Sequence, residues 1–545
     1  MRCQANARIM GMRESVMQRT AQVIRTHQRH TLPVLWALWM SIAAMCPAAQ
    51  SPNTIQKIQQ LLQAGDTTSA QALLTEAFRE SPRNGGLYNL QGVIKAQEGD
   101  YASAELNFRK AIELAPHLEG AYLNLGRLYH EHVRKDPHAR EKALRVYAEL
   151  LRFAPNHPEA NYQSALLLMR KGLYAESLRH LTMLPAEAQN RSQALSVLCG
   201  DYAGLGQSDK ADRVADQMLH SADLAEADVT SVLPVLVSRK DTSPALELLQ
   251  GLVARRLASF DSLHSLGLLF RSAGRLAEAH QTLEAAAAVQ PNSVPNLLDL
   301  ARVAYDQKDY TGALGYLAHA RELDPNNASI HFFWGIVCME QDLAEEAYRA
   351  LMKAVKLNPS NAYYNYALGV VAMHRQDARE GIPYLEKYCE LKPRDPRGRL
   401  VLGAAYFNSF EDESAEKVLS TVAHDPQTVA GANYYLGRIA NRQGKYPEAI
   451  RHLQLALQAR PDYADAYAEL GQIHLKRREY TAADEMLEKA LKLNPDNYAA
   501  NLSLMILYQR TKNPRAEDQA KRFDQVKQEK AERAKEFLRT IEVRP

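Results

Sequence analysis

Apolar residues recur at three-, four- and seven-residue intervals through most of the chain, broken by short polar turns. Tyr467, Leu470, Gly471 and His474 share one face of a predicted helix, and Ala483, Leu487 and Ala490 share one face of the next. Between such stretches come turns like Gln97-Glu98-Gly99-Asp100-Tyr101 and Arg442-Gln443-Gly444-Lys445-Tyr446. Their Gly, Asn or Asp residues accept the left-handed backbone that ends a helix. The following helix stops at Leu-Asn-Pro or Leu-Asp-Pro, as at Leu357-Asn358-Pro359 and Leu323-Asp324-Pro325, because proline disfavours helix in the residue before it.

The pattern is periodic. Small residues fall at 70, 104, 143, 177, 211, 245, 279, 313, 347, 381, 415, 449 and 483, each step being 34 residues except one of 39. Eleven of these thirteen are alanine, with Ser177 and Gly381 the exceptions. A second small residue precedes them by twelve positions (Gly92, Gly267, Gly335, Gly369, Gly403, Gly437, Gly471), and a large apolar residue follows by four (Leu74, Phe108, Leu283, Leu351, Leu385, Leu453, Leu487). A proline follows by twelve (Pro82, Pro116, Pro291, Pro325, Pro359, Pro393, Pro461, Pro495). Two helices of about 12–14 residues and two tight turns fill the period, with each large side chain entering the gap left by a small one.

These motifs resemble the tetratricopeptide repeat family. Tyr122, Leu125, Gly126 and Tyr129 read as its first helix, and Tyr101, Ala104, Phe108, Ala111 and Pro116 as its second helix and closing turn. The resemblance implies an all-α fold, an α-solenoid in the form of a right-handed superhelix of about fourteen helix–turn–helix repeats, over about residues 53–530. The expected organisation is a signal peptide or signal anchor at 1–49, an N-terminal array at 50–257, a C-terminal array at 258–513, and a charged capping helix and tail at 514–545. Repeats at about 185–257 lack the closing prolines and are expected to be looser, with a candidate hinge at 222–258.

Composition alters this picture at one end only. Among 545 residues, Lys+Arg number 66 and Asp+Glu 63. The first 49 hold six arginines and one acid, so the rest has 66 − 6 = 60 basic and 63 − 1 = 62 acidic groups. A body with a net charge near −2 is not a nucleic-acid binder held by phosphate neutralisation. The N-terminal arginines precede an uncharged stretch, Leu32 to Met45, and the small residues Pro47-Ala48-Ala49, which is the order of a secretory signal. The expected location is periplasmic or secreted, with cleavage after Ala48 or Ala49. The alternative is an inner-membrane anchor through residues 32–49.

Motifs for catalysis are missing: the sequence has no P-loop, dinucleotide-binding glycine pattern, nucleophile elbow or zincin helix. No cofactor, metal or enzymatic activity is expected. His130-Glu131-His132 with His138 holds ligating residue types, but adjacent helical residues diverge. Cys199, Cys338 and Cys389 fall at core-facing positions and are expected to be buried thiols.

The resemblance implies instead that the first helix of each pair lines a concave face that binds a protein or peptide. Carried onto this chain, that face comprises Phe332, Ile336 and Met339; Tyr363, Tyr366 and Met373; Arg397, Leu400 and Phe407; and Tyr434, Arg438, Asn441 and Arg442. Aromatic and arginine side chains concentrate interface energy. The favoured function is a non-enzymatic protein–protein interaction scaffold, with Arg438 and Arg442 meeting a carboxylate or backbone oxygen of the partner. The rival is a non-catalytic accessory subunit of an envelope glycosyltransferase or polysaccharide-export system.

Overall fold

In a computed structural model, residues 52–131, 136–238, 242–375 and 377–542 are described, with side chains described to residue 529. The expected signal segment at 1–49 lies outside them, as does His132. Every regular element among the described residues is a helix. The helices divide into two compact units, one ending at Pro291 and the other beginning at Asn292.

Within each unit the helices come in antiparallel pairs whose interlock is the one the 34-residue pattern requires. A Cβ built on Gly369 would lie 2.5 Å from Leu385 Cγ, and one on Gly471 would lie 2.5 Å from Leu487 Cγ. Gly92 meets the Phe108 ring at 2.5 Å, and Gly126 meets the Tyr147 ring at 2.4 Å across the five-residue insertion. The bulky partners are sealed: Leu385, Leu487 and Tyr147 have 0% exposure and Phe108 has 2%. Deleting such a knob leaves a cavity that the backbone cannot close.

Caps and turns set the helix boundaries. Asp100 accepts from the Ser103 amide and Asp309 from the Gly312 amide, starting second helices. Asn361 accepts from the Tyr363 and Tyr364 amides, starting a first helix. In most of the described pairs the inner turn holds one residue with positive φ. Gly99 and Gly444 supply it at +80° and +76°, and Lys308, Asp342, Phe410, Arg478 and Lys512 adopt it in the same slot.

A further polar contact holds one pair to the next. The carbonyl of the repeat-ending proline cannot join a helix, and a side chain six residues later captures it. Asn161 reaches Pro155, Asn365 reaches Pro359 and Asn501 reaches Pro495, each at 2.9 Å. Tyr122 donates to the Pro116 carbonyl at 3.0 Å, and His331 Nε2 donates to that of Pro325 at 2.8 Å.

The first unit departs from this regularity at 174–237. The second helix Tyr174–Thr182 has only 9 residues, an extra turn of helix spans Ala186–Gln189, and Pro234 sits inside the helix Glu226–Val237. The second unit ends in the helix Ala516–Glu542, which packs Phe523 and Val526 onto the final pair. No helix among the described residues is long and apolar enough to cross a membrane.

Candidate protein-binding surface

In the second unit, four successive first helices carry the sequence-derived residues: Ala328–Glu340, Ala362–His374, Pro396–Asn408 and Val429–Arg442. Rings stack within and between them. Phe332 lies 4.7 Å from Tyr364 in a stacked pair, Phe407 lies 5.5 Å from Tyr435, and Tyr434 lies 4.8 Å from Tyr463 of the following repeat. Tyr366 rests 4.9 Å from Tyr388 on the outer helix.

The arginines are held by this framework. Arg438 lies over Phe407 at 4.6 Å and Tyr434 at 5.5 Å. Arg442 lies over Phe407 at 4.0 Å and Phe410 at 4.8 Å, and donates to Asp412 at 2.8 Å. Arg397 grips its own helix-capping Asp395 with both arms of the guanidinium, Nε to Oδ1 at 2.9 Å and Nη2 to Oδ2 at 2.7 Å. Burial opposes ionisation of Asp395, but hydrogen bonds from Arg397 and Tyr388 outweigh it and hold the carboxyl at about 2.

Two expected contact residues are corrected by burial. Phe407 is 3% exposed, so its ring supports two guanidiniums and offers no face to a partner. Asn441 is 7% exposed; its amide donates to Glu469 at 3.1 Å and accepts from Lys476 at 3.0 Å, which joins adjacent repeats. Met339 and Met373 are half-buried against the cores around Leu351 and Leu385, and Leu400 against that around Leu419. Phe332, Ile336, Tyr366, Tyr434 and Arg438 are half-buried, while Tyr363 is 59% exposed.

Sequence reading by helix position missed Phe410. It is 79% exposed with φ +62°, in the slot that glycine or a polar residue fills in other repeats. A bulky side chain pays a steric cost there. Aligning the turn slots at the 34-residue step would have exposed it.

Outside this surface, His130 faces Arg170 rather than another ligating side chain, with Nε2 3.1 Å from Nη1. Burial, reinforced by Arg170 and Arg140, pushes its imidazole down to about 4. Among the described residues no three His, Cys, Asp or Glu side chains cluster as a metal site. Cys199 and Cys338 are buried thiols, each raised by burial to about 12.

The helix pairing and the knob contacts agree with family models described as tetratricopeptide repeat, which match residues 56–119, 264–328, 304–370 and 428–496. The chain contains tetratricopeptide repeats. Its repeats are those of a protein–protein interaction scaffold. No curated protein matches it. Among solved structures, this tetratricopeptide repeat chain is similar to yeast Tom70, at 14% identity, covering 81% of this chain and 91% of that one, with a TM-score of 0.35. It is similar to the APC/C hetero-tetramer Cut9-Hcn1 at 14% identity, with 83% and 95% covered and a TM-score of 0.38. A tetratricopeptide repeat protein from Parabacteroides merdae aligns at 18% identity, with 46% and 98% covered and a TM-score of 0.39.

Proposed function

We propose that the second unit binds an extended, acidic segment of a partner protein along the first helices between residues 329 and 442. The observation that carries this reading is the segregation of charge. The helices Ala362–His374, Pro396–Asn408 and Val429–Arg442 contain no acidic residue, yet hold Arg397, Arg399, Arg438 and Arg442. Ring faces orient Arg438 and Arg442, and Arg438 Nε stands 3.9 Å from Glu469, so an incoming carboxylate meets two guanidiniums already held in place. Tyr363 and Phe410 are the apolar anchors, being the most exposed large apolar side chains among the described residues of the second unit.

The chain acts as a non-enzymatic scaffold in this proposal, exported to the periplasm or secreted by residues 1–49, or held at the inner membrane through residues 32–49. Capture from envelope extracts, with wild-type protein and the double variant Tyr363→Ala/Arg438→Ala side by side, tests it. The expected outcome is one or more proteins retained by the wild type and lost by the variant. Equal retention by both would refute this surface. Recovery of a single polysaccharide-synthesis complex would assign the scaffold to that machinery. Mass measurement of the mature N-terminus tests the export step.

A further inference from the structure

The first unit contains a carboxylate where the repeat pattern demands an aliphatic side chain. Asp201 lies on the first helix Ser192–Gly204. The 34-residue step places Ile94 and Leu167 at the equivalent position before it, and Leu269, Val303, Val371 and Ile473 after it. Those six side chains are 0–2% exposed, and Asp201 is 0% exposed. Within the described residues neither of its carboxyl oxygens has a hydrogen-bond partner.

Its surroundings offer no compensating charge. The Ser177 hydroxyl beside it donates to the Ala165 carbonyl at 2.8 Å. Among the described residues five helices pack on Ser192–Gly204: Pro158–Arg170, Tyr174–Thr182, Ala186–Gln189, Ser208–His220 and Glu226–Val237. Of their titratable groups, Arg170 faces His130, His180 pairs with Asn161, and Asp228 binds the Ala225 amide. Tyr174 lies where a side chain on Gly204 would be, while Tyr162 and Asp212 add no charge to the Asp201 carboxyl. Burial raises Asp201 to about 8, against a smaller lowering by the neighbouring Ser177 hydroxyl. The adjoining second helix Tyr174–Thr182 is short, at 9 residues, and Pro234 lies within Glu226–Val237, features that the second unit shares in Asp412–Ser420 and in Pro383 of Ala378–Leu391.

We propose that the repeat built on Ser192–Gly204 is a proton-latched joint, closed while Asp201 carries its proton and opened when the carboxyl ionises. In the closed form the apolar site accepts only the neutral acid. In the open form the group returns to the ordinary carboxylate range near 4. The closed form thus holds a proton that the open form releases, so raising the pH from about 4 to about 8 favours opening by up to about tenfold per unit, and the effect levels off above. This is independent of the surface proposed for the partner.

Amide hydrogen exchange of the full chain, read by mass spectrometry between pH 5 and pH 9 with labelling times scaled to the intrinsic rate, tests the latch. Wild type is compared with Asp201→Asn, which keeps the shape without the titration, and Asp201→Leu, which restores the residue type of other repeats. In wild type, protection over residues 192–237 is expected to fall by up to about tenfold per pH unit to pH 8 and then flatten. In both variants it is expected to be level with pH. A level wild-type profile, or a slope retained in either variant, overturns the proposal.

Discussion

The repeats containing Asp201 and Val371 occupy the same step of the same pattern, yet they solve burial differently. Around Val371, a glycine, a leucine knob and an aliphatic side chain close the gap: Gly369 receives Leu385, and Val371 is 2% exposed. Around Asp201 the interlock is made by Cys199, Ser177 and Ala211, and the wall includes a carboxyl with no bond partner among the described residues. The lesson is that repeat stability is summed locally. Each repeat touches mainly its neighbours, so one unfavourable position weakens its own junction and leaves distant repeats intact.

Substitutions can break or sharpen this contrast. The largest loss is expected for Leu385→Ala. Loss of a fully buried knob should cost about 3 kcal/mol, seen as a lower urea midpoint for the transition of the second unit. Asp201→Val, which makes the weak repeat resemble the strong one, should act in the opposite direction. At pH 8 it is expected to stabilise the first unit, with the gain bounded by about 5 kcal/mol, which is about four pH units of linkage at about 1.4 kcal/mol each. The sign follows from a folded carboxyl raised to about 8: its ionisation in the unfolded chain lowers stability as pH rises above about 4. The gain should therefore shrink as thermal melts are taken from pH 8 towards pH 4, and a gain that grows on acidification would contradict the assignment.

Asn365→Ala removes both hydrogen bonds to the Pro359 and Asn361 carbonyls and should cost about 1 kcal/mol in the same urea assay. The smallest change in stability is expected for Phe410→Gly. Relief of the positive φ offsets the added freedom of glycine to within about 1 kcal/mol, while partner capture should weaken several-fold. A melt that is unchanged together with undiminished capture would remove Phe410 from the surface.

Most of the fold was legible from spacing. The glycine series, the knob series and the prolines each map onto an observed gap, filler or turn, because a small-to-large fit along a helix needs only fixed separations in the chain. The candidate surface was less legible. Phe407 looked like an exposed anchor and is a buried support, and Asn441 looked available and is engaged by Glu469 and Lys476. Phe410 lay in a turn, outside any helical position count.

The amino-acid order alone determined the paired helices, their stride and the residues that interlock, since those depend on contacts within about one repeat and on the steric limits of glycine and proline. The folded units decided which arginine meets which carboxylate, which ring is covered, how the proline carbonyls are captured and that Asp201 is fully buried. Those outcomes depend on side chains brought together across repeats, where burial and hydrogen-bond geometry are properties of the packed neighbours rather than of any one residue type.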